Sequence, residues 1–289
     1  MNAETVLDTQ PSAGPLRSSP AMPTYRLMGA PGVNDANGHR VGPSGMTTTL
    51  MAVLLLRSHR VNDSDSLVAL LWPGAKPQSA RSNLRQYVSR LRRFLRDTAP
   101  AGSAILSSTG GGYLLEVRRG ELDITRFEDF ADLGRRALEA GEIALARSYL
   151  EAATDLWRGP LCQGLVLAPQ LETEILYWED LRVSAHQALV KTRLHLGDYG
   201  RAIAEIRRLL VSNPLSEELW GMLMLAFYRS YRRAEALETY RLARRRVIQD
   251  LGVEPTVQLR RLNEHILSGD CPLDTFAWLT PGTTRWGAP

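Results

Sequence analysis

The chain has 289 residues, of which 44% are hydrophobic and 23% charged, and a net charge of +4. Those are globular values, with length for one large or two ordinary domains and a real core. No apolar run approaches the roughly 20 residues of a membrane span, which argues against a membrane protein. Residues 1–24, rich in Pro, Ser and Ala, lack the apolar centre of a signal peptide and read as a disordered tail. "TYRLMG" and "GHRVGPS" are short and turn-bounded, and predict two or three small strands before Gly45. "MTTTLMAVLLLRSH" is apolar on most faces and reads as a buried helix. In "NDSDSLVALLWP" either Asp63 or Ser64 can cap a second helix, which Pro73 ends. "GAKPQSA" is a loop, and Ser79 is the expected N-cap of a third helix.

That third helix contains "SNLRQYVSRLRRFLRD", with arginines at 85, 90, 92, 93 and 96 and no acid before Asp97. Leu84, Val88, Leu91 and Leu95 form a single core stripe. Ser82, Arg85, Gln86, Ser89, Arg90 and Arg93 fall off it, on the solvent side. The bland reading is a solvated basic face. Against it stands the mixing of arginines with small polar residues and an amide, as a helix lying in a major groove requires. The charge is also segregated. Residues 25–117 hold eleven basic side chains against five acids, whereas the rest of the chain from residue 118 holds 23 against 24. Such asymmetry predicts a polyanion-binding domain joined to a near-neutral one.

"AILSSTGGGYLLEV" places two β-rich runs around Gly110, Gly111 and Gly112, a hairpin signature. A phosphate-cradling loop is the weaker reading, since no Lys-Ser/Thr follows and no helix opens. Helix, helix, arginine helix and hairpin is the order of a winged helix-turn-helix, whose recognition helix enters the major groove.

From residue 122 the pattern is almost wholly helical. "DITRFEDFADLGRRALEAG" has Asp123 as expected cap and Gly141 as stop, and "EIALARSYLEAATDLWRG" ends at Gly159-Pro160. A long helix is expected over residues 168–196. "DYGRAI" at Asp198 aligns with "RRAEAL" at Arg232, 34 residues later, and "GEIALA" from Gly141 is a weaker third copy. Ala146, Ala202 and Ala236 then occupy equivalent positions, and the period fits a tetratricopeptide-like array. Trp157, Trp220, Tyr228 and Tyr240 read as core or groove wall. Trp278 and Trp286, in a tail expected to be disordered over residues 269–289, are weak candidates to dock on that array.

The five histidines are scattered without ligand spacing, and the two cysteines, Cys162 and Cys271, match no metal or disulfide pattern. The expectations are therefore no metal, no cofactor, no catalytic residue and no enzyme activity, in a reducing cytoplasm.

"VSRLRRFL" followed by "GGGYLLEV" resembles the OmpR/PhoB-type winged helix. The longer string from "LLLRSHRVNDSDSLVALLWPG" through "LRRFL" resembles the DNA-binding domain of the Streptomyces antibiotic regulatory protein (SARP) family. "LWRGPL" and the stretch from "NPLSEELWGM" to "LNEHIL" resemble the bacterial transcriptional activation domain that follows it. The resemblance implies a mainly α chain: a winged-helix DNA-binding domain over residues 25–117 with its own core, then an all-α helical-repeat domain over residues 122–268. It implies a sequence-specific transcriptional activator of antibiotic biosynthetic genes, associated with the nucleoid. Such a protein is expected to bind direct repeats near the −35 region as a homodimer and to contact RNA polymerase and its sigma factor. DNA contacts are expected from Ser82, Arg85, Gln86, Ser89, Arg90, Arg92, Arg93, Thr109 and Gly111, and a polymerase contact from the loop bearing Trp72, Gly74, Lys76 and Gln78. Lacking a P-loop motif and a receiver domain, the chain reads as a short form not controlled by aspartyl phosphorylation. The rival reading is a helical scaffold that binds a peptide or small ligand and uses the winged helix for protein contact.

Two positions depart from the family pattern. Thr109 stands where the wing commonly carries an Arg, which leaves Thr109 at most a phosphate contact. Tyr231 stands where the family usually has Gly after "YRS". That implies either a strained or differently shaped turn or an added aromatic on the concave surface.

Overall fold

The structure, a computed structural model, describes residues 24–35, 37–99, 104–118 and 120–269. Apart from Thr24 and Gly269, the expected tails, with Trp278 and Trp286, lie outside them. The chain is mainly helical, a small N-terminal α+β part followed by an all-α array.

Strands β1 (Tyr25–Arg26), β2 (Gly32–Asn34) and β3 (Arg40–Val41) form an antiparallel meander. Helix α1 (Met46–Leu56) is buried along most of its length, as its all-round apolar sequence requires. A short strand β4 (Val61–Asp63), not anticipated from the sequence, separates it from α2 (Ser64–Leu71). Asp63 is the α2 cap, its carboxylate accepting the N–H of Ser66 at 2.8 Å. Helix α3 (Ala80–Thr98) buries Ala80, Leu84, Val88, Leu91 and Leu95 on one stripe. Ser79 precedes α3, but its hydroxyl caps no backbone N–H; it accepts the Asn83 amide at 3.1 Å instead.

Strands β5 (Ala104–Thr109) and β6 (Gly112–Val117) form the hairpin, and β4 joins it in the order β4-β6-β5. Thr109 pairs with Gly112 across a two-residue turn of Gly110 and Gly111, with φ of 20° and 110°. Gly112 answers a different constraint: a Cβ there would lie 2.4 Å from the Asn62 carbonyl oxygen of β4. Pairing of β4 with β6 therefore requires glycine at this position.

The array consists of α4 (Asp123–Glu139), α5 (Ile143–Thr154), α6 (Glu172–His195), α7 (Tyr199–Ser212), α8 (Glu217–Arg229), α9 (Arg233–Leu251) and α10 (Val257–Ser268). Ala146, Ala202 and Ala236 are all fully buried, where only a small side chain lets neighbouring helices close up. Each helix before those alanines ends in the same turn. The N–H of Glu142, Asp198 and Arg232 reaches back to the carbonyl of Ala137, Arg193 and Phe227 at 2.8–2.9 Å. The preceding residue is left-handed in each: Gly141 (φ 77°), Gly197 (φ 73°) and Tyr231 (φ 63°). These are Schellman turns. In the third copy Tyr231 takes the glycine's conformation and its side chain is 99% exposed. The turn keeps its shape, and the ring projects into solvent.

The expectation of a winged helix with its own core needs correction. One continuous cluster includes Leu50, Leu84 and Leu115 together with Phe127, Leu161 and Leu171. The segment from Tyr25 to Gly29 is stitched to the helical part. The Tyr25 N–H donates to Glu121 O at 2.7 Å, Gly29 N–H to Pro160 O at 3.1 Å, and Cys162 N–H to Leu27 O at 2.8 Å. Asp123 is not the cap of α4, whose N-cap position is Leu122. Its carboxylate is buried and accepts the N–H groups of Leu27 and Met28, each at 2.9 Å. On α6, Glu174 accepts from Arg57, at the end of α1, at 2.7 Å. Composition locates a boundary near residue 120, yet apolar burial and hydrogen bonds cross it.

Candidate nucleic-acid interface

The amphipathic sequence of α3 fixes which side chains face outward. With its leucine stripe on the core, Ser82, Arg85, Gln86, Ser89, Arg90, Arg93 and Arg96 are exposed together. Among the described residues no carboxylate engages Arg85, Arg90, Arg93 or Arg96. Arg90 instead lies 5.9 Å from the centre of the Tyr87 ring, a cation–π contact that leaves its charge intact. The arginine-rich α9 supplies an internal comparison. There Arg241 pairs with Glu238, Arg244 with Glu254 and Arg246 with Asp250. A solvated basic face in this chain is thus neutralised locally, while that of α3 is left open. An open row of guanidinium groups flanked by Ser and Gln hydroxyls and amides can meet both phosphates and base edges.

Arg92 departs from the expectation of a phosphate contact. Its Nε donates to Leu106 O at 3.0 Å and its Nη2 to Ser108 Oγ at 2.8 Å. Both acceptors are on β5, so Arg92 fixes the hairpin beside α3. Thr109 is also turned inward: its Oγ1 is buried and has no hydrogen-bond partner among the described residues. A phosphate contact through that hydroxyl is therefore not available in this arrangement. At the tip, the Gly111 carbonyl accepts the Ser64 N–H at 3.1 Å and the Ser64 hydroxyl at 2.6 Å, which anchors the wing to the start of α2.

In the loop between α2 and α3, Trp72 is half-buried and stacks on Tyr87, with ring centres 6.1 Å apart. Gly74, Lys76 and Gln78 are exposed. Trp72 thus anchors the loop on the core, and the other three form its outer surface.

Sequence reasoning missed Arg81. It forms a forked ion pair with Asp65, Nη2 to Oδ2 at 2.7 Å and Nε to Oδ1 at 3.0 Å. Only the folded arrangement brings the starts of α2 and α3 together, so no spacing rule finds the pair. Among the described residues no group of three His, Cys, Asp or Glu side chains is placed to hold a metal ion. Among them, too, no helix is long and apolar enough to cross a membrane. Trp157, Trp220, Tyr228 and Tyr240 are all partly buried in the helical array; Trp157 packs edge-on to Phe127, with ring centres 5.6 Å apart.

Three helices with an open arginine row, a three-stranded wing and an appended helical array define a winged-helix transcriptional regulator. Residues 38–115 match the C-terminal domain of transcriptional regulatory proteins, and residues 122–267 match the bacterial transcriptional activator domain. The chain belongs to the SARP family of transcriptional regulators. It is 32% identical over 246 residues to the regulatory protein DnrI of Streptomyces peucetius, covering 82% of this chain and 90% of DnrI. It is 35% identical over 235 residues to the regulatory protein AfsR of Streptomyces coelicolor, covering 81% of this chain but only 23% of AfsR. The solved structure of Mycobacterium tuberculosis EmbR in complex with a low-affinity phosphopeptide superposes with a TM-score of 0.77 at 30% identity. That match covers 86% of this chain and 65% of the EmbR chain.

Proposed function

We propose that this protein is a sequence-specific DNA-binding activator of an antibiotic biosynthetic gene cluster. It binds direct repeats next to the −35 region as a homodimer and recruits RNA polymerase, including the sigma factor. The observation that carries the reading is the row Arg85, Arg90 and Arg93 on the exposed face of α3, free of carboxylates among the described residues, while Arg241, Arg244 and Arg246 of α9 are paired. Ser82, Gln86 and Ser89 lie among them as base-edge or phosphate partners. Gly111 adds a backbone N–H at the wing tip. The exposed Gly74, Lys76 and Gln78, held out by the Trp72–Tyr87 stack, suit a polymerase contact. Direct repeats place protomers head to tail on one face of the DNA. Family membership supports regulation of transcription rather than catalysis.

The test is a gel shift on the DNA upstream of the protein's own gene and its neighbours, at two salt concentrations. Phosphate-neutralising binding loses about 0.9 in log K per phosphate contact for each tenfold rise in salt. A steep slope together with preference for a repeated sequence is expected. Salt-insensitive or absent binding would leave the helical scaffold as the better reading.

A further inference from the structure

We infer that Arg81, held by Asp65, reads a guanine in the major groove, with Asp65 as its positioning residue. The inference rests on the DNA-binding reading above and extends it to two residues outside the arginine row.

Arg81 is the second residue of α3, and Asp65 the second of α2. In helix-turn-helix docking the N-terminal residues of the recognition helix are those that reach base edges. The pair is exposed, with 68% of the Arg81 side chain and 70% of the Asp65 side chain open to solvent. A surface ion pair of that kind contributes little to stability. Its geometry is nevertheless a fork. Asp65 Oδ1 accepts from Nε at 3.0 Å and from Nη2 at 2.8 Å, and Oδ2 accepts from Nη2 at 2.7 Å.

That arrangement uses one edge of the guanidinium plane and leaves another. Nη1 has no partner among the described residues. The N–H groups on the Nη1 side form the second fork of the planar group, matched to the O6 and N7 acceptors of guanine. A long, flexible side chain normally loses rotamer freedom when it docks. Asp65 imposes that order beforehand, so less is lost on binding DNA. The other arginines of α3 lack such a buttress: among the described residues Arg85, Arg93 and Arg96 have no carboxylate partner, and Arg92 is committed to the wing.

The surroundings favour a base over a phosphate. Arg81 lines a cleft of about 400 Å³ between α2, α3 and the wing tip, with Asp63, Ser64, Asp65, Arg85 and Gly111. Two carboxylates beside two guanidinium groups make the cleft nearly neutral. A phosphate entering it would face Asp63 and Asp65, whereas a base pair brings donors as well as acceptors. The free lone pairs of Asp65 can accept from an exocyclic amine of cytosine or adenine beside the guanine.

The experiment selects duplexes from a random library with the full chain and with Arg81→Ala, Arg81→Lys and Asp65→Asn. Base preference at each position is the readout, and melting temperature and circular dichroism monitor the fold. The wild type should select a motif. Arg81→Ala should lose the preference for guanine at one base pair by about 5- to 150-fold, with the rest of the motif kept. Arg81→Lys, a point charge without a fork, should retain affinity and lose most of that preference. Asp65→Asn should weaken the preference at the same base pair, an effect that a merely structural ion pair would not produce. Unchanged preferences in Arg81→Ala, or a uniform loss across all sequences, would overturn the inference. A wild-type chain that selects no motif would overturn the DNA-binding reading itself, and this one with it.

Discussion

The Asp123 carboxylate accepts the backbone N–H of Leu27, 96 residues earlier in the chain, with both oxygens 2.9 Å away. The bond ties the first strand segment, which leads into the winged helix, to the first turn of the helical array. Because the core also crosses this seam, α3 and the array are held in one orientation.

Burial is the dominant influence on Asp123 and raises its pKa from 3.8 to about 6, against the pull of the Met28, Leu27 and Ile124 N–H groups and the Arg26 charge. The folded state therefore holds the proton more tightly than the unfolded chain, for which 3.8 applies. Stability from this group is greatest at low pH and falls as pH rises from about 4 to about 6, by up to about 3 kcal/mol. Glu205 acts with the opposite sign. His186 beside it holds its carboxyl below the usual 4.5, so its contribution is lost as pH falls through the acid range. Asp123→Asn removes the first dependence and leaves the second. The wild type is expected to gain stability between pH 7 and pH 5 relative to the variant, in thermal melts run side by side. At pH 7 the variant also loses an acceptor at the buried Met28 or Leu27 N–H, a cost of about 1–3 kcal/mol.

Arg92 and Arg85 are expected to behave differently although both lie on α3. Arg92→Ala frees the hairpin from Leu106 O and Ser108 Oγ, so hydrogen exchange in β5 and β6 should accelerate and all DNA probes should weaken together. Arg85→Ala leaves the wing in place and should weaken the preferred sequence most, by about 1–3 kcal/mol if the side chain reads a base. Equal exchange in the two variants would remove the wing-clamp role from Arg92.

Thr109 carries a buried hydroxyl without a partner among the described residues. Thr109→Val keeps the shape, removes the unsatisfied group and suits a strand, so a gain of about 1 kcal/mol in chemical denaturation is expected with DNA affinity unchanged. Thr109→Arg places a cation at the wing and should tighten binding to probes with A·T-rich sequence beneath it, with a steeper salt dependence. Absence of tightening on any probe would mean that the wing does not approach the minor groove.

Tyr231 holds a left-handed backbone that costs a non-glycine residue about 1–2 kcal/mol, and its exposed ring returns nothing through packing. Tyr231→Gly relieves that cost and forfeits about 0.4–1 kcal/mol through a more flexible unfolded chain. A net gain of about 0.5–1 kcal/mol in urea unfolding is expected, with DNA binding unaffected.

What the sequence determined by itself is local and periodic. The leucine stripe of α3, the Asp63 cap, the triple-glycine hairpin and the alanines of the repeat follow from spacing and intrinsic conformational preference, which act between near neighbours. The exposed arginine row was legible for the same reason: once the apolar face is known, the opposite face follows. Tertiary structure decided everything that depends on which distant backbone groups meet. Asp123 has the sequence of a helix cap, but Leu27 and Met28 present unpaired N–H groups that need an acceptor, and the buried carboxylate satisfies them. Arg92 looks like another open cation until β5 is folded against it. Arg81 and Asp65, on different helices, meet only because the α2 and α3 stripes pack on one core. The seam near residue 120 is a boundary in charge and composition and not in packing, because the hydrophobic effect responds to apolar area removed from water, wherever along the chain that area lies.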